Sequence, residues 1–539
     1  MKRTSLAVLM IALALVALAA PAAFAQAPAP KVTINGLIDN VTSASWNVHN
    51  YNGLWNRKDS QWYARTRGRF DIVGEVGKAK GVLAIEIDST WGQTGSADNA
   101  GQQAFGTTSS WDLNTDTRGV IEIKWLYTEL PVPFMPVPTT VRLGAQPSGA
   151  AATYKLASYF NGDFAGLNAV VAATPNVKIL ATYVAVEEGL TGTNTKTGFP
   201  IIASNPLATE DRGDDWAYIF SAEVTPFKGL DIKPMFSGFH AQGTTSGSAR
   251  AGRGGINTST AFSPVGGHLG NMNEARYTVG LDARLRIGPF SLDPTVHYQF
   301  GHRRVITPAG FEASGAVAGQ RRKADISAWL LDVRAGFQLG PLLLQGVGVY
   351  TTGNSARNNT LGTVRYYQPL STDTGYLADW GTQLTSLGID YLSAMNEAGR
   401  FVAYPGAHIG WDKYGRAQLG LKATYAITPS LSAMAGGNLH WTAEGVDRNG
   451  TPTAAAGILP SFTGGPRGKN SGWGFGSDRF IGTELMALIS WRFAPGLSWD
   501  NAAGYMFAGP ALDAITLDTQ GPRNAKDSAI VVSRVRFTF

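Results

Sequence analysis

From Gln61 to Val76 the chain alternates with a period of two: Trp62, Ala64, Thr66, Gly68, Phe70, Ile72, Gly74 and Val76 take one parity, and Tyr63, Arg65, Arg67, Arg69, Asp71 and Glu75 the other. Successive side chains of a β-strand point to opposite faces, so the three arginines share one face and the apolar residues the other. The pattern returns from Ala275 to Ile287, where Tyr277, Val279, Leu281, Ala283, Leu285 and Ile287 oppose Arg276, Thr278, Asp282, Arg284 and Arg286. It returns from Ala417 to Ile427, with Leu419, Leu421, Ala423 and Tyr425 against Gln418, Lys422 and Thr424. The closing stretch sets Val531, Val535, Phe537 and Phe539 against Val532, Arg534, Arg536 and Thr538, with a weaker alternation at its start. Segments of this kind, roughly 10 residues long, predict antiparallel strands that are apolar on one side only.

The connections alternate in length. Short ones fall at Gly77 to Lys80, Pro131 to Pro138, Pro175-Asn176, Pro226 to Gly229, Gly288-Pro289, Gly340-Pro341, Pro429-Ser430 and Pro495-Gly496. Proline presets φ and glycine reaches positive φ, so these are turns. Between them lie long polar stretches: Gly92 to Arg118, Glu188 to Asp214, Ala241 to Asn273, Gly353 to Gly415 and Glu444 to Ser477. A strand on each side of every short turn, plus an opening strand near Val32 to Val41 and the closing one, gives about 18 strands, or 16 if the count is off by two; Phe401 to Lys413 is open between strand and ordered loop. A soluble sandwich would place large branched residues on its apolar faces. Here those faces mix Gly, Ala, Val and Leu, with aromatics near segment ends at Trp125, Tyr127, Trp216, Trp329, Trp441 and Trp491. That distribution predicts an all-β transmembrane antiparallel barrel with two aromatic girdles, both termini at the short-turn end and outer-membrane lipid as its solvent.

The N-terminus supports export. Lys2 and Arg3 precede an apolar run from Leu6 to Ala20 and the small-residue site Ala23-Phe24-Ala25, which reads as a secretory signal over residues 1–25 and a barrel over 26–539. The run is about 15 residues against the roughly 20 that cross a bilayer, and no comparable run follows. Charge is sparse at 16%, glycine numbers 65, and cysteine is absent, which removes thiol chemistry. Net charge falls from +6 to +4 once Lys2 and Arg3 leave, and no basic run marks a nucleic-acid partner.

Three stretches resemble Gram-negative outer-membrane porins: Arg65-Thr66-Arg67-Gly68-Arg69-Phe70 through Gly81 to Ile87, Ile123 to Leu130 followed by Val141 to Gln146, and the terminal Phe539 on an alternating strand. The resemblance implies a water-filled channel for passive diffusion of small hydrophilic solutes and ions, a homotrimer, and recognition of Phe539 by the barrel-assembly machinery. It also implies that the loop after the fifth strand, here residues 147–166 with Tyr154, Lys155, Tyr159, Asn161 and Asp163, folds inward and sets acids opposite a basic ladder. Arg65, Arg67 and Arg69 are the candidate ladder. Pairing with Glu86 and Asp88 on the adjoining strand is the plainer account of the same arginines.

Other inward candidates are Glu122, Lys124, Arg142, Arg276, Arg284, Arg286, Arg534 and Arg536, with Asp282 among the acids. That set is net basic, which predicts a mild anion preference. Of the seven histidines, His49, His240, His268, His297, His302, His408 and His440, none has metal-ligand spacing, and all read as lumen or loop residues. No cofactor is expected. An outer-membrane hydrolase would need a nucleophile and histidine on one lipid-facing wall, and a plugged transporter a long segment ahead of the first strand. A solute-selective channel, for sugars or anions, and a non-conducting adhesin or structural barrel remain alternatives.

Overall fold

The computed structural model describes residues 29–47, 60–91, 110–111, 120–148, 154–155, 158–187, 215–242, 271–306, 321–354, 363–372, 380, 415–445, 478–512, 514–515, 522–523 and 525–539. The expected signal, the segment Phe401 to Lys413, and His49, His268 and His408 lie outside these residues.

Eighteen long strands form one closed antiparallel sheet. In chain order they are β1 (Lys31–Trp46), β2 (Ser60–Val76), β3 (Ala79–Trp91), β4 (Val120–Pro131), β5 (Thr139–Pro147) and β6 (Asp163–Thr174). Then come β7 (Val177–Glu187), β8 (Asp215–Phe227), β9 (Leu230–Gln242), β10 (Asn271–Ile287), β11 (Phe290–Ile306) and β12 (Arg321–Leu339). The ring is completed by β13 (Leu342–Thr351), β14 (Ala417–Thr428), β15 (Leu431–Trp441), β16 (Phe480–Ala494), β17 (Leu497–Ala508) and β18 (Ser528–Thr538). Each strand pairs with the next, and β18 returns to β1, where Asp39 faces Arg536 and Val41 faces Arg534. Closure satisfies every strand edge, as a sheet surrounded by hydrocarbon requires. Among the described residues the one helical element is the short Pro510–Leu512 turn.

The strand count comes from the eight short turns, all at one end, where Gly288 and Gly340 take φ of 56° and 54°. Both β1 and β18 have their outer ends there. The outward parity of the strands is predominantly apolar and exposed, for example Ile34 at 56%, Ile121 at 67% and Leu421 at 70%, while the inward parity holds polar side chains such as Asp39, Ser43, Gln299 and Asp332. A soluble barrel would have the reverse arrangement; this one presents an apolar belt to its surroundings. Trp46, Trp62, Trp91, Trp216, Trp329 and Trp441 mark the outer face toward the long connections, and Trp491, Phe493, Trp499 and Phe537 mark it toward the turns.

Two expected girdle residues face inward instead. In β4, Trp125 pairs with Ala84 but the next partner, Ile85, pairs with Ile123, so Lys124 is an extra residue. Such a bulge reverses parity beyond it. Lys124, Trp125 and Tyr127 consequently enter the lumen, and Leu126 takes the outward place.

Candidate functional site

Two segments outside the long strands lie in the lumen against the wall formed by β9 to β12. The first follows β5. Tyr154 donates its backbone N–H to Asp282 Oδ2 (2.9 Å) and its hydroxyl to the Ile232 carbonyl (3.3 Å), and its ring lies 4.0 Å from the Arg284 guanidinium carbon and 5.2 Å from Lys233 Nζ. Lys155 Nζ donates to the Asp293 carbonyl (2.6 Å), the Asp332 carbonyl (3.2 Å) and Thr295 Oγ1, and stands 3.6 Å from the Asp332 carboxylate. Tyr159 donates to Ser237 Oγ at 2.7 Å.

The second segment, residues 363–372, follows β13. Leu370 N–H donates to the Tyr159 carbonyl (2.8 Å), and Ser371 and Thr372 pair in parallel with Phe160 and Asn161. Gln368 exchanges two hydrogen bonds with Gln299, backbone N–H to Oε1 at 2.8 Å and Nε2 to carbonyl at 2.7 Å, and accepts from Arg276 Nη1 at 3.0 Å. Arg303 donates to the Tyr366 hydroxyl at 3.2 Å. Irregular backbone removed from water must find partners for its N–H and C=O groups, and glutamine supplies one of each. Around these contacts Tyr159, Phe160, Phe164, Tyr367, Leu370 and Trp380 bury against Ile219, Phe239, Leu330, Val347 and Val349. Each such side chain contributes about 1.5–3 kcal/mol on burial, so this cluster is a core built inside the barrel.

Burial sets the protonation of the first segment. It pushes the Tyr154 hydroxyl up to about 12, with Glu223 and Asp231 adding to the effect. It pulls the Lys155 ammonium below the usual lysine value, against the opposing pull of Asp332.

The arginine wall lies on the other side, since β2 and β11 are nine places apart in a ring of 18. Here Arg65 is 3.3 Å from Asp88, and Arg67 is 2.7 Å from Asp88 and 3.5 Å from Glu86. Arg69 is 3.3 Å from Asp71 and lies 4.0 Å above the Trp125 ring. Lys124 bridges Glu86 (3.6 Å) and Asp163 (3.2 Å), and Trp125 Nε1 donates to Asp163 at 2.6 Å. Asp163 therefore belongs to the arginine wall and does not face it across the lumen. Glu122 stands opposite Glu86 in the β3–β4 register. Around the seam, Arg534 meets Asp500 at 2.6 Å and Arg536 meets Asp39 at 2.7 Å; further round, Arg142 meets Glu129 at 2.7 Å and covers the Tyr127 ring.

No family model matches the chain, and no curated protein matches it either. Solved structures that align with it include Acinetobacter baumannii OccAB1 (11% identity, 94% of this chain and 97% of that one, TM-score 0.46). Pseudomonas aeruginosa OccK5 (OpdH) aligns at 9% identity over 94% and 98% of the two chains with a TM-score of 0.43, and the Pseudomonas aeruginosa outer membrane protein opdK at 9% over 94% and 98% with 0.45. At such identities, and with TM-scores below 0.5, the assignment of the fold rests on the barrel's own strand pairing.

The remaining candidates divide by wall. Arg276 is buried 3.0 Å from Glu274, Arg284 lies over Tyr154, and Arg286 at the turn end pairs with Asp293. Side-chain exposure differs between the walls without dividing them cleanly: Arg67, Arg69, Lys124, Arg142, Arg534 and Arg536 range from 14 to 32% but Arg65 is 4%, whereas Lys155, Lys233, Arg276 and Asp332 range from 0 to 7% but Arg334 is 14% and Arg286, at the turn end, 50%. His297 and His440 face inward, His440 against Glu484 at 3.3 Å. His240, expected in lumen or loop, is instead outward, stacked 4.5 Å from Trp216, because the inward parity of β9 is that of Lys233, Met235 and Ser237. No group of metal ligands occurs among the described residues. The residues sequence reasoning missed are Tyr366, Tyr367, Gln368 and Leu370; a run of two aromatics in a long polar connection was their one signal.

Proposed function

We propose that the protein is a passive channel of the bacterial outer membrane, exported after removal of residues 1–25, through which small hydrophilic solutes and ions diffuse along the arginine wall. The observation that carries this reading is the contrast between walls. On one side two inward segments and an aromatic core fill the lumen, and on the other Arg67, Arg69, Lys124, Arg142, Arg534 and Arg536 keep part of their surface open, while Arg65 beside them is buried.

The ionic character of the arginine wall is mixed. Arginines alone favour anions, and a mild anion preference at low salt follows from them. Asp39, Asp71, Glu129 and Asp500 each hold one of the inward cations, so the preference is small and screened easily. A solute-selective channel is the second reading, favoured by the Arg69–Trp125 and Arg142–Tyr127 stacks, which present flat cationic surfaces to a passing solute. Single-channel conductance and reversal potential in planar bilayers test the proposal. Replacing Arg65, Arg67 and Arg69 together by glutamine leaves Asp71, Glu86 and Asp88 without those cations, and selectivity should move toward cations. A reversal potential equal to that of the wild type would remove these arginines from the conducting path, and absence of conductance would remove the channel.

A further inference from the structure

The two inward segments, which leave the barrel from different strands and run side by side from Leu370 and Tyr159 onward, also share one side-chain hydroxyl. Tyr367 is fully buried, and its Oη donates to the Ser158 carbonyl at 2.7 Å and lies 2.8 Å from Nδ1 of His297 on β11. A phenol has a single proton and a carbonyl can only accept. With that proton committed to Ser158, Nδ1 of His297 must carry the hydrogen that reaches the Tyr367 oxygen. The histidine ring is held in place on both sides. Tyr159 meets it edge-on at 6.0 Å, and Gly280 leaves it room, since a Cβ there would stand 2.4 Å from the ring carbon Cδ2.

We propose that Tyr367 is a positioning residue: its hydroxyl ties the segment after β5, the segment after β13 and the β11 wall into one partition, so that both segments together set the width of the passage. The proposal rests on the channel reading above. Its bonds are distinct from those that hold each segment singly to the wall, namely Lys155 to Asp332 and Gln368 to Gln299. Removing the hydroxyl spares those anchors and the aromatic packing, and loosens the joint between the segments.

The full-length protein in planar bilayers supplies the test. Tyr367→Phe keeps the ring and loses two hydrogen bonds, each worth up to about a tenfold change in an equilibrium. The expected result is a larger-conductance level, occupied roughly tenfold or more longer than in the wild type, together with passage of larger neutral solutes. The chain has no cysteine, so the pair Asn161→Cys and Thr372→Cys, placed where the two segments run side by side, can form one disulfide. Oxidising that pair in the Tyr367→Phe background should abolish the added level, and reducing it should restore the level. In an otherwise unaltered chain the same disulfide should leave conductance at the wild-type value, which provides a readout even if Tyr367→Phe assembles poorly. A conducting wild type with an indistinguishable Tyr367→Phe overturns the joint and leaves the channel standing. So does a disulfide that narrows the channel of the otherwise unaltered chain. A wild type that does not conduct removes both readings.

Discussion

The first inward segment carries two groups whose protonation opposes one another as pH changes. Burial holds Lys155 below the ordinary 10.5 and Tyr154 above the ordinary 10.0, at about 12. Between the lowered Lys155 value and 10.5 an undocked segment carries more lysine protons than a docked one, so raising the pH favours docking. Between 10.0 and about 12 the undocked Tyr154 has lost its proton while the docked one keeps it, and raising the pH then favours release. Docking should therefore pass through a maximum near pH 10, seen as a minimum in current noise. Lys155→Met should remove the rising side; a noise trend with no minimum in the wild type would contradict the account. The same residues show how far single positions were legible. Parity alone sends Arg67, Arg69, Arg534 and Arg536 inward, because alternation is a local property of a strand. It could not send Trp125 and Tyr127 inward, since the extra residue at Lys124 leaves no mark in composition. Glu86 and Asp88 were legible as partners of Arg65 and Arg67 from the adjoining strand, whereas Asp39 and Asp500, which pair with Arg536 and Arg534, depend on a register between strands that alternation does not carry.

Turns and strand ends make the elements readable, and the second inward segment escapes because it has neither period nor turn signature. Residues 363–372 read as part of one polar connection, yet their structure depends on Gln299, His297 and Tyr159 from elsewhere in the chain. The last strand offers an element-scale prediction. Beyond β18, Phe539 exchanges backbone hydrogen bonds with Gly36 at 2.9 and 3.0 Å, and its ring lies 6.0 Å from Phe70. A Cβ on Gly36 would come within 2.6 Å of both the Arg69 carbonyl and the Phe539 ring, and the backbone cannot yield as the ring can. Gly36→Val should cost about 1–3 kcal/mol, measurable as a lower midpoint of unfolding in denaturant. Phe539→Asp lies at the rim of the belt, where a charge costs only about 0–1 kcal/mol against lipid. If Phe539 is an assembly signal, this variant should refold into liposomes nearly as well as the wild type and still insert poorly in cells. Equal insertion in both settings would remove that role.

At the scale of the molecule, eight short turns and two terminal strands were enough to give the number of staves, because each turn demands a strand on either side. The lumen was not legible in the same way, as its filling brings together side chains from β8 to β13 and two connections. The seam between β1 and β18 has a further consequence. Arg536 reaches Asp39 across 497 positions of sequence, and the ten register pairs of that seam are of similar span. Every other neighbour in the ring is reached through a hairpin or a single connection. Contacts between distant residues must meet the entropy of closing a long loop before they are rewarded, so the seam should be the late and slow event of folding. Deleting Ser528–Thr538 should leave two bare edges, on β1 and β17, and yield aggregates in place of a smaller barrel, a result that sedimentation in detergent would show. Joining the ends by a short linker and opening the chain at the Gly288-Pro289 turn should give a permuted barrel in which the old seam forms early and folding is no longer limited by it, because sequence distance, unlike the ring itself, has a beginning and an end.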